Sequence, residues 1–142
     1  MKITIKRSDF EMIYEHSLKE SPNEACGLIA GVDRRDGVRE ICKVYILTNT
    51  DHTSEHFTID PHEQLNAVKD MRARALKPLG NWHSHPASPS RPSEEDKRLA
   101  NDSSASYLIL SLMEEENPVL NAFHIEKAEG EKTVRKEELI VI

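Results

Sequence analysis

His83-Ser84-His85-Pro86-Ala87-Ser88-Pro89-Ser90-Arg91-Pro92-Ser93-Glu94-Glu95-Asp96 is the stretch on which the reading of this chain turns. Gly80 to His85 reads as a strand. Alternation along a strand sends both imidazoles to one face, which suits two ligands of a single tetrahedral metal. Pro86 stops the strand, and Pro89 and Pro92 keep the connection stiff and non-helical. Ser93 to Asp96 then reads as a helix start, where an anionic side chain is favoured. Asp96 is the candidate third ligand, with the fourth position left to water. Three protein ligands and an open position is the catalytic zinc pattern, whereas structural zinc is closed by four. Each piece also has a plainer reading. Ser93-x-x-Asp96 is close to a capping box with Ser93 as N-cap, and His-x-His pairs are common on surface strands. A ligand pair, a short Pro-rich turn and a helix opening with Ser and Asp nevertheless make one compact unit.

Around this stretch lies a chain of 142 residues, enough for one domain, residues 1–142, with a sizeable core. Hydrophobic residues make up 37% and charged residues 31%, which is polar, but apolar runs recur and disorder is not expected. The 19 basic and 25 acidic residues give a net charge of −6 with no basic stripe, which argues against nucleic acid as the partner. The longest apolar run is far short of the ~20 residues of a membrane helix. Met1 to Lys6 alternates like a strand and lacks the apolar stretch of a signal peptide. Cys26 and Cys42 have no Cys-x-x-Cys spacing, so no disulfide framework is expected, and the cytoplasm is the natural compartment.

Outward from the His-x-His strand the elements follow from patterning. Ser8 or Asp9 can cap a helix running to about Glu20, with Phe10, Ile13, Tyr14 and Leu18 on one face. Glu24 to Gly31 reads as a buried strand, Val32 to Gly37 as a hairpin loop, and Val38 to Thr48 as a long strand. His56 to Asp60 reads as a short strand. Asp60 then caps a helix from Pro61 to about Leu76, with Leu65, Val68, Met71 (or Arg72) and Ala75 as its buried stripe, ended by Lys77-Pro78-Leu79-Gly80. After a short helix from Ser93 to about Asn101, Ser106 to Met113 and Val119 to Glu126 form a hairpin, and Val134 to Ile142 a last strand. Strands outnumber helices and do not alternate regularly with them. The expected fold class is mixed α/β (α+β), a curved mixed sheet flanked by helices.

His83-Ser84-His85-Pro86, the seven residues from Pro86 to Pro92, Ser93, two residues and Asp96 resemble the signature of the JAMM (MPN+) zinc metallopeptidases. Glu24-Ala25-Cys26-Gly27-Leu28-Ile29-Ala30-Gly31 resembles the family's upstream glutamate and strand, and Tyr107 to Leu112 and Ala122 to Ile125 its later strands. The likeness covers essentially the whole chain. It implies a cytidine-deaminase-like MPN fold, one Zn²⁺ held by His83, His85 and Asp96, and catalytic roles for Glu24 and Ser93. Glu24 would be the general base and acid, and Ser93 the oxyanion donor. The implied function is that of a zinc-dependent peptidase or isopeptidase. With no room for the inserted loops of ubiquitin-chain-cutting members, the implied substrate is a small ubiquitin-like or sulfur-carrier protein, cut after its C-terminal Gly-Gly.

Rivals are weaker. Glu94 and Glu95 lie near the metal stretch, but side chains beside a capping serine usually face water. Ser84 and Trp82 alternate with the two His residues and are expected to pack in the core. Cys26 reads as a small buried residue rather than a nucleophile. His52, His56, His62 and His124 have no ligand spacing; His52 and His56 could line the cleft, but the surface is the expectation. A zinc deaminase needs His-x-Glu and Pro-Cys-x-x-Cys, and the chain has neither. A non-catalytic module that holds a ubiquitin-like partner is the alternative of another class, and N/O ligands also admit Fe²⁺ or Co²⁺.

Overall fold

The computed structural model describes residues 1–142. Its elements run β1 (Lys2–Ile5), α1 (Arg7–Glu20), β2 (Cys26–Asp33), β3 (Val38–Leu47), α2 (Pro61–Ala73), β4 (Lys77–His85), α3 (Glu94–Leu99), β5 (Ser106–Ser111), β6 (Val119–Ala128) and β7 (Glu131–Val141). The mixed sheet expected from the sequence closes on itself in the order β1-β3-β2-β4-β5-β6-β7. β1 runs parallel to both β3 and β7, and β4 parallel to β5, while the remaining neighbours are antiparallel. β1 closes the sheet over short stretches only: Ile41 to Leu47 of β3 pair with β2 alone, and Glu131 to Glu137 of β7 with β6 alone.

Period-two alternation fills the barrel. Ile3, Ile29, Ile41, Trp82, Leu108 and Leu110 meet in one buried cluster, which α1 joins through Ile13 with Phe10, Tyr14 and Leu18 packed against it. Trp82 is fully buried and its Nε1 donates to the Tyr45 carbonyl at 3.0 Å. That bond passes over Gly27, where a Cβ would lie 1.8 Å from Tyr45 O and 2.3 Å from Trp82 Nε1. Only glycine lets β2 lie this close to the indole. A smaller cluster of Ala30, Tyr45, Leu47, Ala67 and Met71 seats α2 on β2 and β3.

Several element expectations are corrected. α1 starts after Lys6 with no side-chain cap, and Asp9 sits in its first turn, where a negative charge meets the helix dipole. α2 buries Ala67 and Met71, whereas Leu65 is 52% exposed and Ala75 lies beyond the helix end. Lys77 to Gly80 does not merely end that helix. It forms the first half of β4, where Pro78 sits at the register shift against β2 and Gly80 takes φ 151°. His56 to Asp60 makes one bridge, Asn49 to Ile59, and no strand. The loop before it is held instead by side-chain bonds from Asn49, Asp51 and Thr53.

Candidate metal centre and its surroundings

β4 sends His83 and His85 to the outer face of the barrel, as alternation requires, and Ser84 to the inner one. Both imidazoles are almost fully buried. A turn of Pro86 to Pro92 brings α3 back over them. Ser93 caps α3 by accepting the Asp96 amide at 3.0 Å, while Asp96 Oδ2 accepts the Ser93 amide at 2.9 Å. The plainer reading of Ser93-x-x-Asp96 therefore holds, and it is also what aims Asp96. The same Oδ2 lies 3.2 Å from His83 Nε2 and 3.1 Å from His85 Nε2, and the two Nε2 atoms are 3.1 Å apart.

These three atoms form a near-equilateral triangle. A tetrahedral ion with bonds of ~2.0–2.1 Å needs donors about 3.3 Å apart. The tautomer of His85 points the same way, while His83 Nδ1 is buried without a partner. His85 Nδ1 lies 2.9 Å from the Pro89 carbonyl, which can only accept. In the neutral ring the proton is on Nδ1 and the Nε2 lone pair faces Asp96, the arrangement that a backbone carbonyl imposes on metal-binding histidines. Lone pairs of His85 and Asp96 thus crowd one point, and a cation there relieves the crowding. The donor set fits a metal ion.

The electrostatics follow. Burial opposes charge on Asp96, but the His83 and His85 bonds outweigh it and hold the carboxyl well below the usual carboxylate range. Burial lowers His83. His85 is raised, since the Asp96 and Pro89 bonds overcome its desolvation.

The antiparallel register that pairs Cys26 with His83 continues to set Ala25 beside Ser84 and Glu24 beside His85. Glu24 therefore shares the metal-facing side. It is 4% exposed, and its Oε1 is buried without a partner. Burial, with repulsion from Asp96 and Glu95, pushes its carboxyl up to about 8 against the pull of His85. Its backbone is tied on both sides: its amide donates to Thr53 O at 2.7 Å and its carbonyl accepts Asn49 Nδ2 at 3.0 Å. Cys26, beside it, is buried and its thiol is pushed up to about 12 by that burial, the wrong direction for a nucleophile. Both cysteines are free.

The structure thus brings together His83, His85 and Asp96, with Glu24 and Ser93 adjoining them. It adds four residues the sequence reading passed over. Ser84, expected only to pack, bonds to Ala25. Its place gave a signal: a hydroxyl on a core-facing strand position needs a partner. Phe57 stacks on His83 with centroids 4.7 Å apart. Asn49 makes four side-chain bonds, to Glu24 O, His56 O, Asp51 N and Thr58 N. Asn81, two residues before His83, turns a buried, unpartnered Oδ1 to the same face. His56 is not simply a surface residue: it bonds to Asp51 and lines the cavity beside His83. His124 is buried against Glu137 inside the barrel, away from the centre. No helix is long and apolar enough to cross a membrane.

The pattern of the family described as prokaryotic homologs of the JAB domain matches residues 6–126. The chain belongs to this family. Among its JAB-domain relatives, the CysO-cysteine peptidase of Mycobacterium tuberculosis is 28% identical over 110 residues, spanning 78% of this chain and 73% of that protein. A desampylase of Pyrococcus furiosus is 31% identical over 101 residues, spanning 63% of this chain and 69% of its own. The solution structure of a Desulfitobacterium hafniense protein is 49% identical and covers 99% of this chain and 92% of its own, with a TM-score of 0.87.

Proposed function

We propose that residues 1–142 act as one zinc-dependent peptidase or isopeptidase domain. One Zn²⁺ would be held by His83, His85 and Asp96, and the bond cut would follow the C-terminal Gly-Gly of a small ubiquitin-like or sulfur-carrier protein. The observation that carries this reading is the triangle of donors 3.1–3.2 Å apart beside the buried carboxyl group of Glu24, whose Oε1 has no partner. The substrate class comes from the relatives, whose names describe a CysO-cysteine peptidase and a desampylase.

A zinc ion held by His83, His85 and Asp96 would supply a Lewis acid for the scissile carbonyl and a water whose pKa is lowered to roughly 7. Glu24 would accept a proton from the attacking water at Oε1 and return it to the leaving nitrogen. Ser93 donates to the oxyanion. As helix cap its hydroxyl oxygen accepts, so its proton stays available, and cap and donor do not compete. Removing such a donor costs ~100- to 1,000-fold in rate. Phe57 and the loop around it shield His83 from water, which strengthens these charges.

The test is zinc content followed by cleavage. Protein loaded with zinc and desalted should hold about one ion per chain, lost in His83→Ala/His85→Ala. It should release the amine from a carrier amide-linked through its terminal glycine, and Glu24→Gln should stop release while keeping the zinc. Equal cleavage by Glu24→Gln sinks the mechanism. Partner binding without turnover by the wild type makes the domain a binding module instead.

A further inference from the structure

A cavity of about 210 Å³ opens from His83 and Asp96 and runs between α3 and the outer face of β5 and β6. Its apolar walls are Phe57, Leu99, Ala100, Tyr107, Ile109 and Ile125. Two buried polar atoms of its lining residues have no partner, Asn81 Oδ1 and His83 Nδ1, on the same strand face. No Lys or Arg lines it.

Glu24 lines a different cavity, of about 160 Å³, with Asn49 and His52. A group that protonates the leaving nitrogen must stand beside it, so the leaving side lies toward Glu24. The cavity at His83 then falls on the acyl side. β4, β5 and β6 are consecutive neighbours. Ile109 on β5 is the register partner of His83, about 4.8 Å away, whereas Ile125 on β6 lies two strands across and four residues along from it, roughly 17 Å from His83. An extended chain advances ~3.3–3.6 Å per residue. Two glycines cover about 7 Å of that path, which places the third residue between Ile109 and Ile125, inside the cavity.

From this, and resting on the peptidase reading above, we infer that the cavity is a specificity pocket for an apolar side chain at the residue preceding the Gly-Gly, with Asn81 Oδ1 accepting a backbone N–H of the same tail. A charged side chain would lose its water among these walls and find no counter-ion of opposite sign except beside the acidic mouth of Glu95 and Asp96. A buried acceptor left unpaired is what a substrate N–H would satisfy.

The experiment measures binding and cutting separately. Tail peptides ending in Leu-Gly-Gly, Asp-Gly-Gly, Lys-Gly-Gly or Gly-Gly-Gly are titrated into zinc-loaded Glu24→Gln protein, and the same four tails, amide-linked to a lysine side chain, are offered to zinc-loaded wild type. The Leu tail should bind at least roughly tenfold tighter than the Asp and Lys tails, the scale a hydrophobic subsite gives. Leu99→Asp, at a half-exposed position, should shrink that preference, whereas Asn81→Ala should weaken all four tails alike. Equal affinities overturn the pocket and leave the peptidase reading standing. A tenfold preference in binding with no cutting by the wild type upholds the pocket and overturns the peptidase reading. Because the four tails are compared on one unaltered chain, the result does not depend on a pocket variant folding.

Discussion

Ser84 and Ala25 hold each other in both directions: the Ala25 amide donates to Ser84 Oγ at 2.8 Å and the Ser84 amide to the Ala25 carbonyl at 3.0 Å. Ser84 lies between the two histidines, and Ala25 follows Glu24. The pair therefore fixes the carboxylate relative to the donor triangle, although Ser84 faces away from both. Ser84→Ala leaves a buried amide without its acceptor, a cost of about 1–3 kcal/mol in stability. It should also lower turnover at least about tenfold, because small misplacements of a catalytic group are expensive. Zinc content and KM should stay near wild type, and Ser84→Thr should restore turnover. Loss of zinc from Ser84→Ala would show instead that the hydroxyl supports the ligand strand.

Asn49 links Glu24 to the loop that seats Phe57 on His83. Its Nδ2 donates to the Glu24 and His56 carbonyls at 3.0 and 3.2 Å, and its Oδ1 accepts from Asp51 and Thr58 at 3.0 and 3.1 Å. Asn49→Asp keeps both accepted bonds, loses both donated ones and sets a carboxylate against two carbonyls. Hydrogen exchange should rise at the amides of Asp51 to Thr58 and at Glu24 together, and cleavage should fall. Faster exchange in the loop with Glu24 unchanged would mean that the two are held independently.

The centre was legible because each of its parts is local. Strand alternation puts His83 and His85 on one side, and the capping box that competes with metal binding for Ser93 and Asp96 turns out to be the device that aims Asp96. The failures are where partners come from afar. His124 gives no hint of Glu137, which reaches it only through the β6–β7 pairing. α2 shows its largest apolar residue, Leu65, to solvent, because Ala67 and Met71, four residues apart, are what fits against Ala30 and Tyr45. Pro78 looked like the end of a helix. A register shift against β2 spares it the ladder bond it cannot donate, so it can start β4.

At the end of the barrel Asp33 accepts from Arg39 Nε at 2.7 Å and from Lys77 Nζ at 2.7 Å. Arg39 is buried and also donates to the carbonyls of Leu79 and Ser104. These bonds pull the Asp33 carboxyl down from its ordinary 3.8 to about 2. A carboxylate whose pKa is depressed on folding binds fewer protons folded than unfolded, so its contribution is complete above about pH 4 and is lost as pH falls toward 2. Asp33→Asn should lower the melting temperature at pH 7 and flatten its decline between pH 4 and 2. An unchanged slope in that window would assign the acid sensitivity to other carboxylates.

Removing metal should destabilise the fold, not only silence it. The three donors come from β4 and from α3, a six-residue helix with no buried residue of its own. Asp96 ties its first turn to β4, and Lys132 on β7 ties its last turn by donating to the Lys97 and Ala100 carbonyls. An ion that binds only the folded chain stabilises it by about 2.7 kcal/mol when present at 100 times its dissociation constant. A chelator should lower the melting temperature of the wild type, and zinc should restore it. His85→Ala and Asp96→Ala should melt at the same temperature with or without chelator, whereas Glu24→Gln, which removes no donor, should respond like the wild type. A chelator response that survived in His85→Ala would place the stabilising ion somewhere other than this triangle.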